Sequence, residues 1–207
     1  MESMSARQGT GASKGEETRS SVLGVALELA SEDGLSGVTI GRLAEKVGMS
    51  KSGLFAHFSS KENLQVAILE EASARFVAHV ISPALKAKRG EPRVVAFFER
   101  WLAWEKELPG GCIFVAASVE LDDKPGPARD VLASAQKDLL DTFATAARIA
   151  VEEGHFRKNL DVRQFAHEVY CLTYGHHFVS RLVRDPKADQ RTRAAFDRLL
   201  ADARARH

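Results

Sequence analysis

Only two cysteines, Cys112 and Cys171, occur in 207 residues, too few for the disulfide framework of a small secreted scaffold, so both are expected to be thiols in a reducing compartment. Long apolar runs are missing as well. A stretch such as Cys112 to Val119 falls far short of the roughly 20 residues that cross a bilayer, and no basic segment leads an apolar one at Met1. The expectation is therefore a soluble, cytoplasmic protein without a membrane partner. Charge of one sign is absent too: 29 Lys and Arg face 28 Asp and Glu, a net charge of +1. That balance gives no global reason to bind a polyanion. Runs of alternating β-branched residues between hairpin turns are not found either, which argues against a sheet. No proline precedes Pro83, leaving the first third free to be helical. What is present, 44% hydrophobic and 28% charged residues, suffices to bury roughly 70% of the unfolded surface without a metal or disulfide staple, so no cofactor is expected.

The apolar spacing predicts an all-α chain. After a Gly, Ser and Thr-rich arm over 1–14, Ser13-x-x-Glu16 offers a capping box, and Val22, Val25, Ala26, Leu29 and Ala30 recur on one helix face that Gly34 ends. Thr39 should cap a short helix ending at Gly48, Ser50 a second, and Ser59-x-x-Glu62 a longer one bearing Leu64, Ile68, Ala72 and Phe76. Pro92 opens a helix with Val94, Phe97, Phe98, Trp101, Trp104 and Leu108 on its inner face, stopped by Pro109-Gly110-Gly111. A short apolar helix from about Cys112 to Leu121 follows. A long one then closes at Gly154, one capped by Asp161 runs to about Arg184, and a last one reaches almost to His207.

Between Gly34 and Lys61 the charge balance departs from neutrality: Arg42, Lys46, Lys51 and Lys61 stand against Glu45 alone. In the same window two short helices flank a Gly-containing turn, the helix-turn-helix arrangement whose second helix enters the major groove. A generic helical hairpin shares that pattern. The residue choice is more specific. Thr39, Leu43, Ala44 and Gly48, then Ser50, Leu54, Phe55, His57, Phe58, Ser60, Lys61, Glu62 and Leu64 follow T-x-x-x-[LI]-A-x-x-x-G coupled to S-x-x-x-[LF]-Y-x-H-F-x-[ST]-K-E-x-L. This segment resembles the DNA-binding domain of the TetR (tetracycline repressor) family of transcriptional regulators. It departs from the pattern at Phe55, where the family has tyrosine and a phenolic oxygen for a phosphate.

The resemblance implies an N-terminal three-helix helix-turn-helix domain over 15–62 and a C-terminal helical-bundle domain for ligand binding and dimerisation over 63–207. It implies a repressor, not an enzyme, that leaves a quasi-palindromic double-stranded DNA operator when a small effector binds, and that forms a homodimer through its two C-terminal helices. Lys51, Ser52 and Gly53 are the candidates for base edges. Thr39, Arg42, Ser50, Phe55, His57 and Lys61 are the candidates for the backbone. Each has a plainer reading as cap, core or solvated charge. In the bundle, Phe97, Trp101, Trp104, Phe114, Phe143, Tyr170 and Tyr174 form an aromatic set that fits either a packed core or the wall of a cavity for a mostly apolar effector, with Glu120 a candidate polar contact. Two rival chemistries have residues to draw on. Cys112 after two glycines at a helix start is the arrangement of a cysteine hydrolase or thiol sensor. His167 and Cys171 at i, i+4, with His176 and His177, are the raw material of a metal site.

Overall fold

Side-chain caps set the helix boundaries of the N-terminal third. The computed structural model describes residues 14 to 205; residues 1–13 of the arm expected over 1–14, and with them Ser13 as a cap, lie outside the described residues. Helix α1 spans Lys14–Asp33, and a 3-10 turn follows at Leu35–Gly37. α2 (Ile40–Val47) starts where the Thr39 hydroxyl accepts from the Arg42 amide at 3.2 Å and stops at Gly48, whose φ of 68° and ψ of 28° lie in the left-handed region that glycine enters without strain. α3 (Lys51–Phe58) is capped by Ser50, which accepts from the Gly53 amide at 3.0 Å. α4 (Lys61–Phe76) is capped by Ser60, one residue later than the expected Ser59. Ser59 has a φ of 62° and closes α3 instead, so the turn between α3 and α4 takes up the residue the capping box was to use.

Beyond Phe76 the helix does not end. It passes through a π-helical turn (Val77–Ile81) into the short α5 (Ser82–Ala84), which holds Pro83. Pro83 lacks an N–H and its ring crowds the carbonyl four residues back. The widened turn just upstream, in which the Ser82 amide reaches Val77, lets the chain continue past it. α6 (Glu91–Trp104) has Pro92 in its first turn, α7 covers Ile113–Leu121, and α8 runs from Pro127 to Glu152. α9 (Val162–Arg181) is capped by Asp161, and α10 spans Ala188–Ala203. α6 ends four residues before the expected Leu108, and α9 three before Arg184. Among the described residues the elements are otherwise helical, with one antiparallel bridge between Phe156 and Arg204.

In the first module α1 packs on α4 and α2, and α2 packs on α3, around Leu23, Ala26, Leu27, Leu43, Ala44, Leu54 and Phe58. Ala44 allows the close approach of α2 and α3. The Arg19 guanidinium lies over the Phe58 ring at 5.3 Å. In the bundle α9 lies between α8 and α10, while α4 and α6 pack on α8. The two parts share the continuous α4. The bundle core is aromatic: Phe76 meets Trp101, Trp104 and Phe114 edge-on at 5.4–6.0 Å, and Phe98 stacks on Phe196 at 3.7 Å. Burying such a ring contributes about 1.5–3 kcal/mol, with edge-on pairs adding about 0.5–1.5 each.

Candidate nucleic-acid interface and effector cavity

Helix α3 packs on α2 and α4 with Leu54 and Phe58 buried, which turns Lys51, Ser52, Phe55 and Ala56 to solvent. Phe55 is 54% exposed, an apolar ring on an otherwise small and polar face. Gly53 and His57 are half-buried beside them. The end of the Lys51 side chain, Cε and Nζ, lies beside Gly41 on α2. The remaining candidates already hold partners. Thr39 and Ser50 cap their helices, with Ser50 also 3.2 Å from the Ser52 hydroxyl. Arg42 pairs with Asp33 at 2.6 Å, and Lys61 donates to the Ser36 carbonyl at 2.9 Å. Both ion-pair and carbonyl partners are exposed, so these cations remain at the surface next to α3.

The aromatic set of the bundle divides. Three clefts follow one another along α8. The first, about 380 Å³, has Phe97, Leu85 and Ile149 as its apolar wall and Arg93, Asp138, Asp141 and Thr142 at its polar edge. A second, about 160 Å³, lies between the π-helical turn, α7 and α8; Phe76, Val77, Ile81, Phe114 and Leu139 line it, with Gln136, Asp138 and Thr142. The third, about 170 Å³, shares Gln136 and reaches Ser118 and Leu121 of α7. Phe97 and Phe114, though buried, each line one of these clefts. Trp101, Trp104 and Phe143 are instead core, with Trp101 5.4 Å from Phe143. Tyr170 and Tyr174 stack at 4.3 Å, and both hydroxyls donate to Gln136 Oε1, at 3.1 and 2.7 Å. Burial raises both phenols above the ordinary tyrosine value. The cleft residues on α8, Gln136, Asp138 and Thr142, and Arg93 with its buried, unpartnered Nε, carried no signal in the sequence beyond being polar residues on amphipathic helices.

Glu120 does not turn into the bundle. Its two carboxylate oxygens accept from the Leu35 and Ser36 amides at 2.8 Å each, so the candidate polar contact for an effector is a contact to the helix-turn-helix module instead.

The rival chemistries lose their geometry. Cys112 is buried, and burial, followed by the nearby Glu105 charge, pushes its thiol up to about 12. The amides at the start of α7 lower it too little to offset this, so no thiolate is available near neutrality. The histidines diverge. His167 Nε2 lies 3.5 Å from the exposed Cys171, His176 is buried against Thr192 and Asp189 at 3.1 and 3.3 Å, and His177 meets the buried Glu105 at 2.7 Å. Among the described residues no three His, Cys, Asp or Glu side chains converge on a metal position.

Known proteins match both parts. Residues 22–68 match the bacterial regulatory proteins of the tetR family, and residues 90–196 match the tetracyclin repressor-like C-terminal domain. The HTH-type transcriptional repressor AcnR of Corynebacterium diphtheriae is 37% identical over 92 residues, covering 44% of this chain and 47% of the repressor. The chain thus spans about half the length of that curated relative. A TetR transcriptional regulator from Chloroflexus aurantiacus superposes with a TM-score of 0.81 at 23% identity, over 91% of this chain and 94% of the other. A TetR-family regulator from Cytophaga hutchinsonii gives 0.81 at 18% identity, over 96% and 100%. At these identities the two structures speak for the fold. Since the C-terminal match alone covers more than half of the residues and the N-terminal one adds the helix-turn-helix, the chain belongs to the TetR family of transcriptional regulators.

Proposed function

We propose that the protein is a homodimeric repressor that places α3 in the major groove of each half of a quasi-palindromic operator and lets go when a small, mostly apolar effector occupies the clefts along α8. The observation that carries this reading is the exposed face of α3. A doubly capped short helix, buried on one side by Leu54 and Phe58, presents Lys51, Ser52 and the uncovered Phe55 together, with Gly53 letting its first turn approach base edges. Thr39, Arg42, Ser50, His57 and Lys61 surround it as backbone contacts, and Arg42 exchanges Asp33 for phosphate on binding. Phe55 offers its ring to a thymine methyl or a sugar rather than a hydroxyl to a phosphate. The name of the AcnR relative supports repression. A protein that acts on DNA in this way works in the cytoplasm.

Selection of duplexes from a random pool, followed by footprinting on the chain's own upstream region, tests the reading. A two-fold site with half-sites one or more helical turns apart is expected. Absence of selection at low salt refutes it. Effectors are found by release of that duplex, and tryptophan emission reports their place, because Phe76 lines the second cleft and touches both Trp101 and Trp104. An effector that leaves emission unchanged binds elsewhere.

A further inference from the structure

We propose that Glu120 is a positioning residue for operator binding: its carboxylate, carried on α7, holds the turn that leads into α2 and so fixes the recognition helix relative to the bundle. This rests on the operator reading above. Both carboxylate oxygens are used, on two successive amides, Leu35 and Ser36, 2.8 Å away. These amides open the 3-10 turn and have no partner within it, as at any helix start, and charge-assisted bonds to them are about twice as strong as neutral ones. Gly34 accommodates the arrangement. It sits at a φ of 77°, and a Cβ there would overlap the Glu120 carboxylate.

The loop before α7 makes a second tie, from the Gly110 amide to the Ser31 hydroxyl at 3.0 Å near the end of α1. The last turn of α1 and the 3-10 turn after it are therefore both held by one helix of the bundle and its leading loop. That loop is in turn held by α9. His177 Nδ1 and Glu105 Oε2 lie 2.7 Å apart, and Arg181 donates to the Pro109 carbonyl at 2.8 Å. α7 is consequently a strut between α9, the helix proposed to meet the second subunit, and the helix-turn-helix. Phe114, Ser118 and Leu121 on the same helix line the second and third clefts, so an occupant there bears directly on the element that carries Glu120. A strut of this kind sets the distance between the two recognition helices of a dimer. Losing it should loosen the choice of half-site spacing without touching any phosphate contact.

The test uses the full chain and the duplex selected by the wild type, remade with the half-site spacing lengthened or shortened by one and two base pairs. Glu120→Ala should bind the preferred spacing about tenfold more weakly and discriminate less among spacings, with an unchanged salt slope because no phosphate contact is lost. Glu120→Gln, which keeps one acceptor oxygen, should fall between and serves as the deciding variant if the alanine protein does not fold. Hydrogen exchange at Leu35 and Ser36 should quicken in the same order. A wild type that selects no duplex overturns the operator reading and this one with it. A wild type whose spacing profile survives in both variants, with exchange at Leu35 and Ser36 unchanged, overturns only the role of Glu120.

Discussion

At the scale of single residues, burial moves the weak acids of the bundle in one direction. The chain has just two tyrosines, Tyr170 and Tyr174, and desolvation raises both, while the Cys112 thiol stands at about 12. In the unfolded chain these groups ionise near 10 and 8.5. The folded state therefore binds more protons at alkaline pH, and the stability they contribute is complete below about pH 8.5 and is lost as pH rises through the folded values. Phenolate absorbance is expected to appear together with loss of helical circular dichroism, not as a free titration around pH 10; a smooth titration with the helices intact would contradict the burial. A thiol reagent at mildly alkaline pH should modify the exposed Cys171 and spare Cys112 until denaturant is added. Gly34→Ala carries a separable expectation. The φ of 77° at Gly34 is paired with a ψ of 163°, a region essentially reserved for glycine that costs a residue with a Cβ about 1–3 kcal/mol, and overlap with Glu120 adds to it. In a double-mutant cycle with Glu120→Ala, read by denaturant unfolding, the overlap part should vanish and the backbone part remain.

Elements separate what faces DNA from what holds the module together. Lys51→Ala on the open face of α3 should relax base preference at particular positions by roughly 1–3 kcal/mol. Lys61 is expected to act on all sequences alike, flattening the salt slope by about one, but its bond to Ser36 adds a small loss of stability that Lys51→Ala should not show. Binding measured at several salt concentrations against a set of single-base variants distinguishes the two; equal profiles would refute the assignment. The same division explains what was legible in the sequence. Both ends of α2 and the start of α3 are legible in the sequence because Thr39, Gly48 and Ser50 mark them with local chemistry; the end of α3 is not, since Ser59 reads as a cap for α4. α6 was overextended because Leu108 continues its apolar face and is indeed buried. The helix stops at Trp104, and Glu105 turns to a histidine 72 residues on, a partner no local spacing reveals. The run past Phe76 is not legible for the converse reason: a proline such as Pro83 reads as a helix stop unless the widened turn before it is known. Core and cavity could not be told apart among the aromatics, since a ring on an apolar face has the same period whether its neighbour is another ring, as for Trp101, or a cleft, as for Phe114. Glu120 was found as a polar residue at the end of an apolar run, but its partners lie 84 and 85 residues away.

For the whole molecule, the surface left uncovered argues for a second copy. Phe178, Val179, Leu182 and Val183 cluster where α9 ends, the last two 79% and 67% exposed, and the groove between α9 and α10, about 410 Å³, continues the strip through Leu172, Val179 and Ala195. Contiguous apolar surface of this kind on a protein with 28% charged residues is what the proposed homodimer calls for, and a two-fold axis through it would pair α9 and α10 with their mates as a four-helix bundle. A lone chain gains little from Leu182, so Leu182→Asp should leave monomer folding within about 0.5 kcal/mol. In the dimer it would place a charge in each half of the interface, far costlier unless paired. Sedimentation at micromolar concentration should then shift from dimer to monomer, and operator affinity should collapse toward that of a single half-site while the helical content stays unchanged. A charge that leaves both the sedimentation and the operator affinity intact would move the interface off this face. It would also leave the strut from α9 through His177, Arg181 and α7 without the partner contact proposed to feed it.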